Sequence, residues 1–104
     1  MSTLSKKTAT LVRNLPQPPD AGMFVADQKL YFLSVPVSYG SPSALRTTNY
    51  VVVSAVNHKY AHETYIFPAD ENGNILSFVE LPGSYMGGTQ HDKALRRAGF
   101  EVVS

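Results

Sequence analysis

Two apolar runs on either side of an Asn-Gly pair constrain the fold of this chain most. Residues 63–67 and 75–81 are rich in β-branched and aromatic side chains, as β-strands are. Asn72 and Gly73 lie between them, and this pair between apolar runs is the strongest short-range signal for a β-hairpin, because both residues tolerate a positive φ. We therefore expect two strands joined by a turn at residues 70–74. Pro68 has no N–H, which predicts a place at a sheet edge or a bend.

A short helix should follow this hairpin. Thr89 with Asp92 three residues later resembles a capping box, with Asp in place of the usual Glu or Gln. Gly99 suits the position just after a helix end. The spacing predicts a helix that begins at Thr89 or Gln90 and ends by Gly99, followed by a short closing strand at 100–103. Residues at helical spacing give this helix a narrow inner face: His91, Ala94, Leu95 and Ala98.

Three earlier segments are predicted as strands: 8–15, 30–39 and 49–56. The segment 49–56 is the most apolar, which predicts a central position, whereas Pro36 in the preceding segment suggests an edge. Short loops between neighbouring strands favour antiparallel pairing. These elements predict an α+β fold, a curved antiparallel sheet of four to five strands with one short C-terminal helix packed against it.

The composition is that of one globular domain. The chain has 104 residues, 43% hydrophobic and 16% charged, which argues against a disordered chain. We expect a single domain over residues 1–104, with residues 1–7 frayed. No apolar run approaches the roughly 20 residues of a membrane helix, and no secretion signal is recognisable. The absence of cysteine is compatible with a reducing compartment, so the expected location is the cytoplasm.

Charge is distributed unevenly along the chain, although the net charge is only +1. Residues 1–13 and 93–97 carry only bases, whereas residues 63–82 carry acids and no base. This pattern predicts an acidic hairpin and two small basic patches. The acids of the hairpin are Glu63, Asp70, Glu71 and Glu80.

Patterns typical of catalytic or metal sites are incomplete in this sequence. A calcium loop counted from Asp70 would need Gly at position six and Glu at position twelve, where the chain has Ile75 and Leu81. The glycine-containing segment before the helix lacks the lysine of a phosphate-binding loop. Ser84 is not in a G-x-S-x-G elbow. We expect no catalytic residue, no metal and no cofactor, and therefore no enzyme. Residues able to bind metal occur without a ligand spacing: His58, His62, Glu63 and His91.

Two binding functions remain open. Basic residues and six tyrosines would suit nucleic acid, although the isoelectric point near 8.0 is below the usual basic footprint. For a protein partner, tyrosine and arginine are enriched in binding hot spots. An acidic hairpin can dock on a basic surface or occupy a nucleic-acid groove of a partner. The predicted partner-binding residues are Glu63, Asp70, Glu71, Glu80 and, as an anchor, Tyr85.

The segments E-T-Y-I-F-P-A-D, N-G-N, E-L-P-G-S-Y and H-D-K-A-L-R-R-A-G resemble a group of small proteins encoded in phages, plasmids and bacterial genomes. The resemblance covers about residues 49–103 and carries no assigned catalytic residue. Small proteins of such mobile elements include anti-CRISPR inhibitors, which bind and block a host effector. The resemblance implies a non-enzymatic protein that binds and inhibits a host protein complex, such as a CRISPR effector. The alternative is a small nucleic-acid-binding regulatory protein.

Overall fold

The computed structural model describes residues 7–15, 25–58, 61–86 and 90–103. In this part of the chain, six strands form one sheet in the order β5-β4-β3-β2-β1-β6. The expected α+β class with a curved sheet and one short helix is confirmed, but the sheet has six strands instead of four to five. The elements are β1 Thr8–Leu15, β2 Val25–Tyr39, β3 Arg46–His58, β4 Ala61–Ala69, β5 Tyr85–Met86, α1 His91–Arg97 and β6 Glu101–Val103.

The apolar strand β3 lies in the middle of the sheet, as its composition predicts. It pairs antiparallel with β2 on one side and with β4 on the other. Residues 51–55 are all buried, because both faces of the sheet are covered at this point. Val51 and Val53 belong to a core under α1, whereas Val52 belongs to a smaller core on the opposite face.

β2 also lies inside the sheet, so the edge position expected from Pro36 is wrong. Between the pairs Phe32–Tyr50 and Val37–Thr48, β2 advances five residues while β3 advances two. Three extra residues therefore form a bulge that takes Pro36 out of the ladder, where its missing N–H breaks no strand pairing. The side-chain amide of Asn49 donates to the Leu33 carbonyl at 3.0 Å and bridges the gap.

The closing strand at the C-terminus exists, but it is parallel to its neighbour. β6 pairs parallel with β1, in the register Thr8–Glu101 to Thr10–Val103. Every other strand pair in the described part of the chain is antiparallel. Antiparallel pairing was expected because neighbouring strands are joined by short loops. β6, however, follows the helix α1, and a helical connection returns the chain in the direction of a parallel strand. Of the predicted frayed segment 1–7, residues 1–6 lie outside the described residues, and the Lys7 carbonyl accepts a hydrogen bond from the Glu101 N–H at 2.8 Å.

The predicted strand at 75–81 is wrong, apart from a single bridge between Ala69 and Ile75. The Leu76 N–H donates to the Pro68 carbonyl at 2.8 Å, but Pro68 has no N–H to return the second bond of the pair. The ladder therefore stops, and residues 77–80 loop out. The chain rejoins β4 when the Leu81 N–H donates to the Ile66 carbonyl at 2.9 Å. Pro68 lies within β4, opposite Val51, and β4 is not an edge strand; the missing N–H of Pro68 instead coincides with the point where the pairing to residues 75–76 ends.

The turn at 70–74 forms at the predicted place with a different geometry. Gly73 has φ +88, and no non-glycine residue among those described has a positive φ. The turn is closed by hydrogen bonds from the Gly73 N–H to the Asp70 carbonyl and from the Asp70 N–H to the Asn74 carbonyl, both 3.0 Å. This is the three-residue loop with a left-handed glycine, not the two-residue Asn-Gly turn.

The helix begins at His91, one residue after the expected start at Thr89 or Gln90, and it ends before Gly99 as expected; Gln90 is the N-cap and makes no side-chain cap bond. Thr89, the expected cap, lies outside the described residues. At the other end the Gly99 N–H donates to Arg96 and the Phe100 N–H to Leu95, while Gly99 has φ +97. These two bonds form a Schellman motif and confirm the predicted role of Gly99. The inner face packs on the sheet: His91, Ala94 and Leu95 are buried and Ala98 is partly buried.

Candidate partner-binding groove

A groove of about 500 Å³ lies between β5, α1 and the looped-out residues before β5. Its lining mixes aromatic, cationic and acidic side chains, which is the composition of a binding surface more than of a core. Two of the residues predicted from the sequence, Glu80 and Tyr85, line it. The lining residues are Tyr65, Glu80, Ser84, Tyr85, Met86, Lys93 and Arg97.

Tyr85 lines the groove and is held by contacts of both β5 and α1. Its hydroxyl accepts a hydrogen bond from the Gln90 N–H at 3.1 Å, so β5 is tied to the start of the helix. The Lys93 ammonium lies 5.1 Å and the Arg97 guanidinium 5.6 Å from the centroid of its ring. Residues four apart on a helix share one face, which explains why both cations reach the same ring. Each distance is within the range of a cation–π interaction.

One acid, Glu80, lines the groove, and a second, Glu63, lies beside it. The Tyr65 hydroxyl donates a hydrogen bond to the carboxylate of Glu63. This bond, reinforced by burial and by the negative charges of Glu63 and Glu80, raises the pKa of Tyr65 to about 12. Glu80 is exposed on the looped-out segment. The lining therefore combines one carboxylate from the loop with two cations from the helix.

The other two predicted acids lie elsewhere. Asp70 and Glu71 are in the turn at the far end of β4, seven residues from Glu63, a distance of about 23 Å along a strand. The structure does not bring the four acids into one patch. The turn also contacts a base, because the Arg13 guanidinium donates to the Asn72 carbonyl at 2.6 Å.

Asp70 has a structural task in that turn. One carboxylate oxygen accepts hydrogen bonds from the Asn72 and Asn74 N–H groups, both at 2.9 Å. The other accepts from the Asn74 side-chain amide at 3.0 Å. These bonds, with the Asn74 amide first among them, lower the pKa of Asp70 below its ordinary value of 3.8. Glu71 beside it is exposed.

Apolar side chains surround the groove on the loop side. Phe78 is 76% exposed and Met86 is 74% exposed, with Leu76 and Val79 also exposed. The Phe78 ring meets the Phe67 ring edge-on at 5.5 Å, and Phe67 stacks on Tyr65 at 5.7 Å. An aromatic row thus runs from the loop to the edge of the groove. Exposed apolar groups beside polar ones are typical of interaction surfaces.

Lys93, Arg97 and Phe78 were not predicted as site residues. In the sequence, the two bases appear as a helix patch remote from the acids, and Phe78 as an interior strand residue. The i,i+4 spacing of Lys93 and Arg97 was a usable signal, since it places both on one helix face. Their position over Tyr85 depends on the packing of α1 against β4, which the sequence does not display.

His91 makes a hydrogen-bond contact between α1 and β2. Its ring nitrogen Nε2 lies 2.7 Å from the Asp27 carbonyl, and the residue is buried. This contact links the first turn of α1 to β2. Within the described ranges, no three His, Asp or Glu side chains are grouped to hold a metal ion.

Comparison with protein-family models, with curated proteins and with solved structures finds no match for this chain. Among the described helices none is both long and apolar enough to cross a membrane. The fold and the groove are therefore the observations from which a function has to be argued.

Proposed function

We propose that this protein is a non-enzymatic protein of a phage or other mobile element that binds a host protein complex and inhibits it. The specific form of the proposal is an anti-CRISPR protein that blocks a CRISPR effector in the host cytoplasm. The resemblance of residues 49–103 to small proteins of mobile elements supports the biological setting. The groove between β5 and α1 supports binding as the mode of action.

The observation that carries the proposal is the environment of Tyr85. A tyrosine held by a backbone hydrogen bond and flanked by Lys93 and Arg97 is already ordered before a partner arrives. Order in the free protein lowers the entropy lost on binding. Tyrosine and arginine are also the residue types that dominate hot spots, and the exposed Phe78 and Met86 extend the apolar part of this surface.

The acids have two different parts in this proposal. Glu80 lines the groove and Glu63 lies beside it, bonded to Tyr65, where a basic group of the partner would meet them. Asp70 and Glu71 lie about 23 Å from Glu63, so they act through long-range steering and not through the same contact. Steering changes the association rate and weakens when salt screens it.

The alternative function is binding of nucleic acid, and one observation favours it. Lys93 and Arg97 beside Tyr85 combine positive charge with a ring on which a base can stack. Glu80 in the lining would repel phosphates, and Glu63, bonded to Tyr65, adds a negative charge beside the groove. The presence of both signs of charge at the groove therefore favours a protein partner.

Phage plating on bacterial strains that each carry one type of CRISPR system tests the proposal. The protein should restore plating of a targeted phage on at least one strain and have no effect on a strain without the system. Arg97→Glu should abolish this rescue, whereas Arg46→Glu, an exposed arginine at the start of β3, should leave it intact. Lack of rescue on every strain would reject the anti-CRISPR form. Recovery of nucleic acid alone in a pull-down would favour the alternative.

A further inference from the structure

An apolar cavity of about 130 Å³ lies beneath the bulge in β2, apart from the groove described above. The bulge moves residues 35–37 out of the β2–β3 ladder, and α1 and the Leu81–Pro82 segment close the space from the other side. Bulges are common next to binding sites, because they bend a strand away from its neighbours. The cavity thus results from the same extra residues that accommodate Pro36.

The walls of this cavity are hydrocarbon. Leu33, Val51 and Leu95 are at most 1% exposed, so the cavity reaches the main core instead of being a surface dent. An apolar cavity of about 150 Å³ in another protein stays dry and binds benzene. The space here is comparable, and a six-membered ring or a chain of similar size would fill it. The inner lining includes Leu33, Val37, Val51, Ile66, Leu95 and Phe100.

Among the residues that the structure describes, one charged residue, Lys7, lines this cavity. Its ammonium lies 5.3 Å from the centroid of the Phe100 ring, which is itself a wall of the cavity. A Cβ atom at Gly99 would come within 3.3 Å of this ammonium, so the absence of a side chain at Gly99 leaves room for Lys7. The main chain of Lys7 is fixed by its hydrogen bond from Glu101. A positive charge is therefore held at the rim of an apolar cavity.

We propose that this cavity binds a small carboxylate with an apolar body about the size of one ring, with the carboxylate beside Lys7. An apolar pocket with few polar groups takes an amphipathic ligand, whose one polar group is oriented by the one charge. The positive charge of Lys7 favours an anionic ligand over a cationic one. The cavity volume has room for a ligand with one ring but not for one with two. This site is independent of the Tyr85 groove, since the two linings share no residue.

Titration of the 104-residue protein with benzoate, followed by ¹H–¹⁵N correlation spectra, tests this site. Saturable shifts are expected for the amides of Leu33, Val51, Leu95 and Phe100. Lys7→Met should weaken benzoate binding by up to about fivefold, the range of an exposed ion pair. The same variant should leave binding of the neutral benzyl alcohol unchanged.

Val37→Phe supplies the second test, because it fills the cavity from its rim. Loss of both benzoate and benzyl alcohol binding, with a thermal melt like that of the wild type, would support the site. Should this variant fail to fold, naphthoate takes its place as a ligand too large for the wild-type cavity, and it should not bind. The proposal is overturned if benzoate gives no saturable shift at these amides, or if Lys7→Met weakens benzoate and benzyl alcohol equally.

Discussion

The hydroxyl of Tyr85 accepts a hydrogen bond from the backbone N–H of Gln90 at 3.1 Å, so a side chain that lines the groove also anchors the start of the helix. Gln90 is the N-cap residue and has no side-chain cap bond of its own. The tyrosine hydroxyl thus satisfies one of the free N–H groups at the beginning of α1. The proposed binding and the folding of α1 therefore involve the same side chain, and a single alanine substitution would affect both.

Tyr85→Phe separates the two roles. It keeps the ring between Lys93 and Arg97 but removes the hydroxyl, so the free energy of unfolding should fall by about 1 kcal/mol. Partner binding should weaken much less than in Tyr85→Ala, which removes the ring as well. Urea denaturation gives the stability, and inhibition in the phage assay gives the function. Equal loss of function in both variants, at equal stability, would contradict a role for the ring.

The turn at 70–74 should make stability sensitive to acid. The pKa of Asp70 is lowered in the folded protein, so its charged form stabilises the fold. That contribution is complete well above pH 3.8 and is lost as the pH falls through the lowered value. Asp70→Asn should therefore reduce the melting temperature at neutral pH and have a smaller effect in strong acid.

Glu71→Gln is the matched control for that experiment. It removes one charge from the neighbouring position of the same turn, where the side chain is exposed. Its melting curve should follow that of the wild type at both pH values. A melting curve of Asp70→Asn that also follows the wild type would show that the turn does not depend on the carboxylate.

Two tyrosines should titrate late. The pKa of Tyr31 is raised to about 12, first by burial and then by the charges of Asp92 and Asp27, and that of Tyr65 to about 12 by its bond to Glu63. Because the folded protein favours the protonated form of both hydroxyls, their contribution to the free energy of unfolding is present below pH 10 and is lost as the pH rises towards 12. Phenolate absorbance should show a late step that decreases in Tyr65→Phe. Complete titration near pH 10 in the folded protein would contradict the contact with Glu63.

The core under α1 should tolerate truncation poorly. Leu95 is 1% exposed and packs in the main core, so Leu95→Ala should lower the free energy of unfolding by about 2–5 kcal/mol. Leu45→Ala, at a position that is 62% exposed, should change it by less than about 0.5 kcal/mol. Urea denaturation of both variants makes the comparison. Similar values for the two would mean that α1 does not pack as described.

The sequence predicts the elements with strong local signals. The helix limits, the role of Gly99 and the central position of β3 follow from spacing and composition, which act over a few residues. The errors arise where the hydrogen bonding between two strands determines the outcome. Pro36 lies inside the sheet because a bulge absorbs it, and the strand at 75–81 fails because Pro68, seven residues before Ile75, cannot return a hydrogen bond.

The residues of the candidate site also divide into those that the sequence predicts and those that it does not. Glu80 and Tyr85 were identified from charge and residue type, and both line the groove. Asp70 and Glu71 were grouped with them because all four acids belong to one predicted hairpin. The turn of a hairpin and its open end lie at opposite ends of the strands, so the two pairs of acids are separated by the length of β4. Lys93 and Arg97 enter the groove only through the packing of α1, a tertiary contact with no local signature.

Photo-crosslinking from position 86 in host cells tests most directly whether the groove is a partner surface. A photoreactive benzoylphenylalanine replaces Met86, a lining residue that is 74% exposed, in one variant and Leu45, exposed on the loop before β3, in the control. We expect a discrete protein adduct from position 86 that survives nuclease treatment and is absent from position 45. Identical adducts from both positions, or an adduct from position 86 that nuclease removes, would contradict the proposed partner surface.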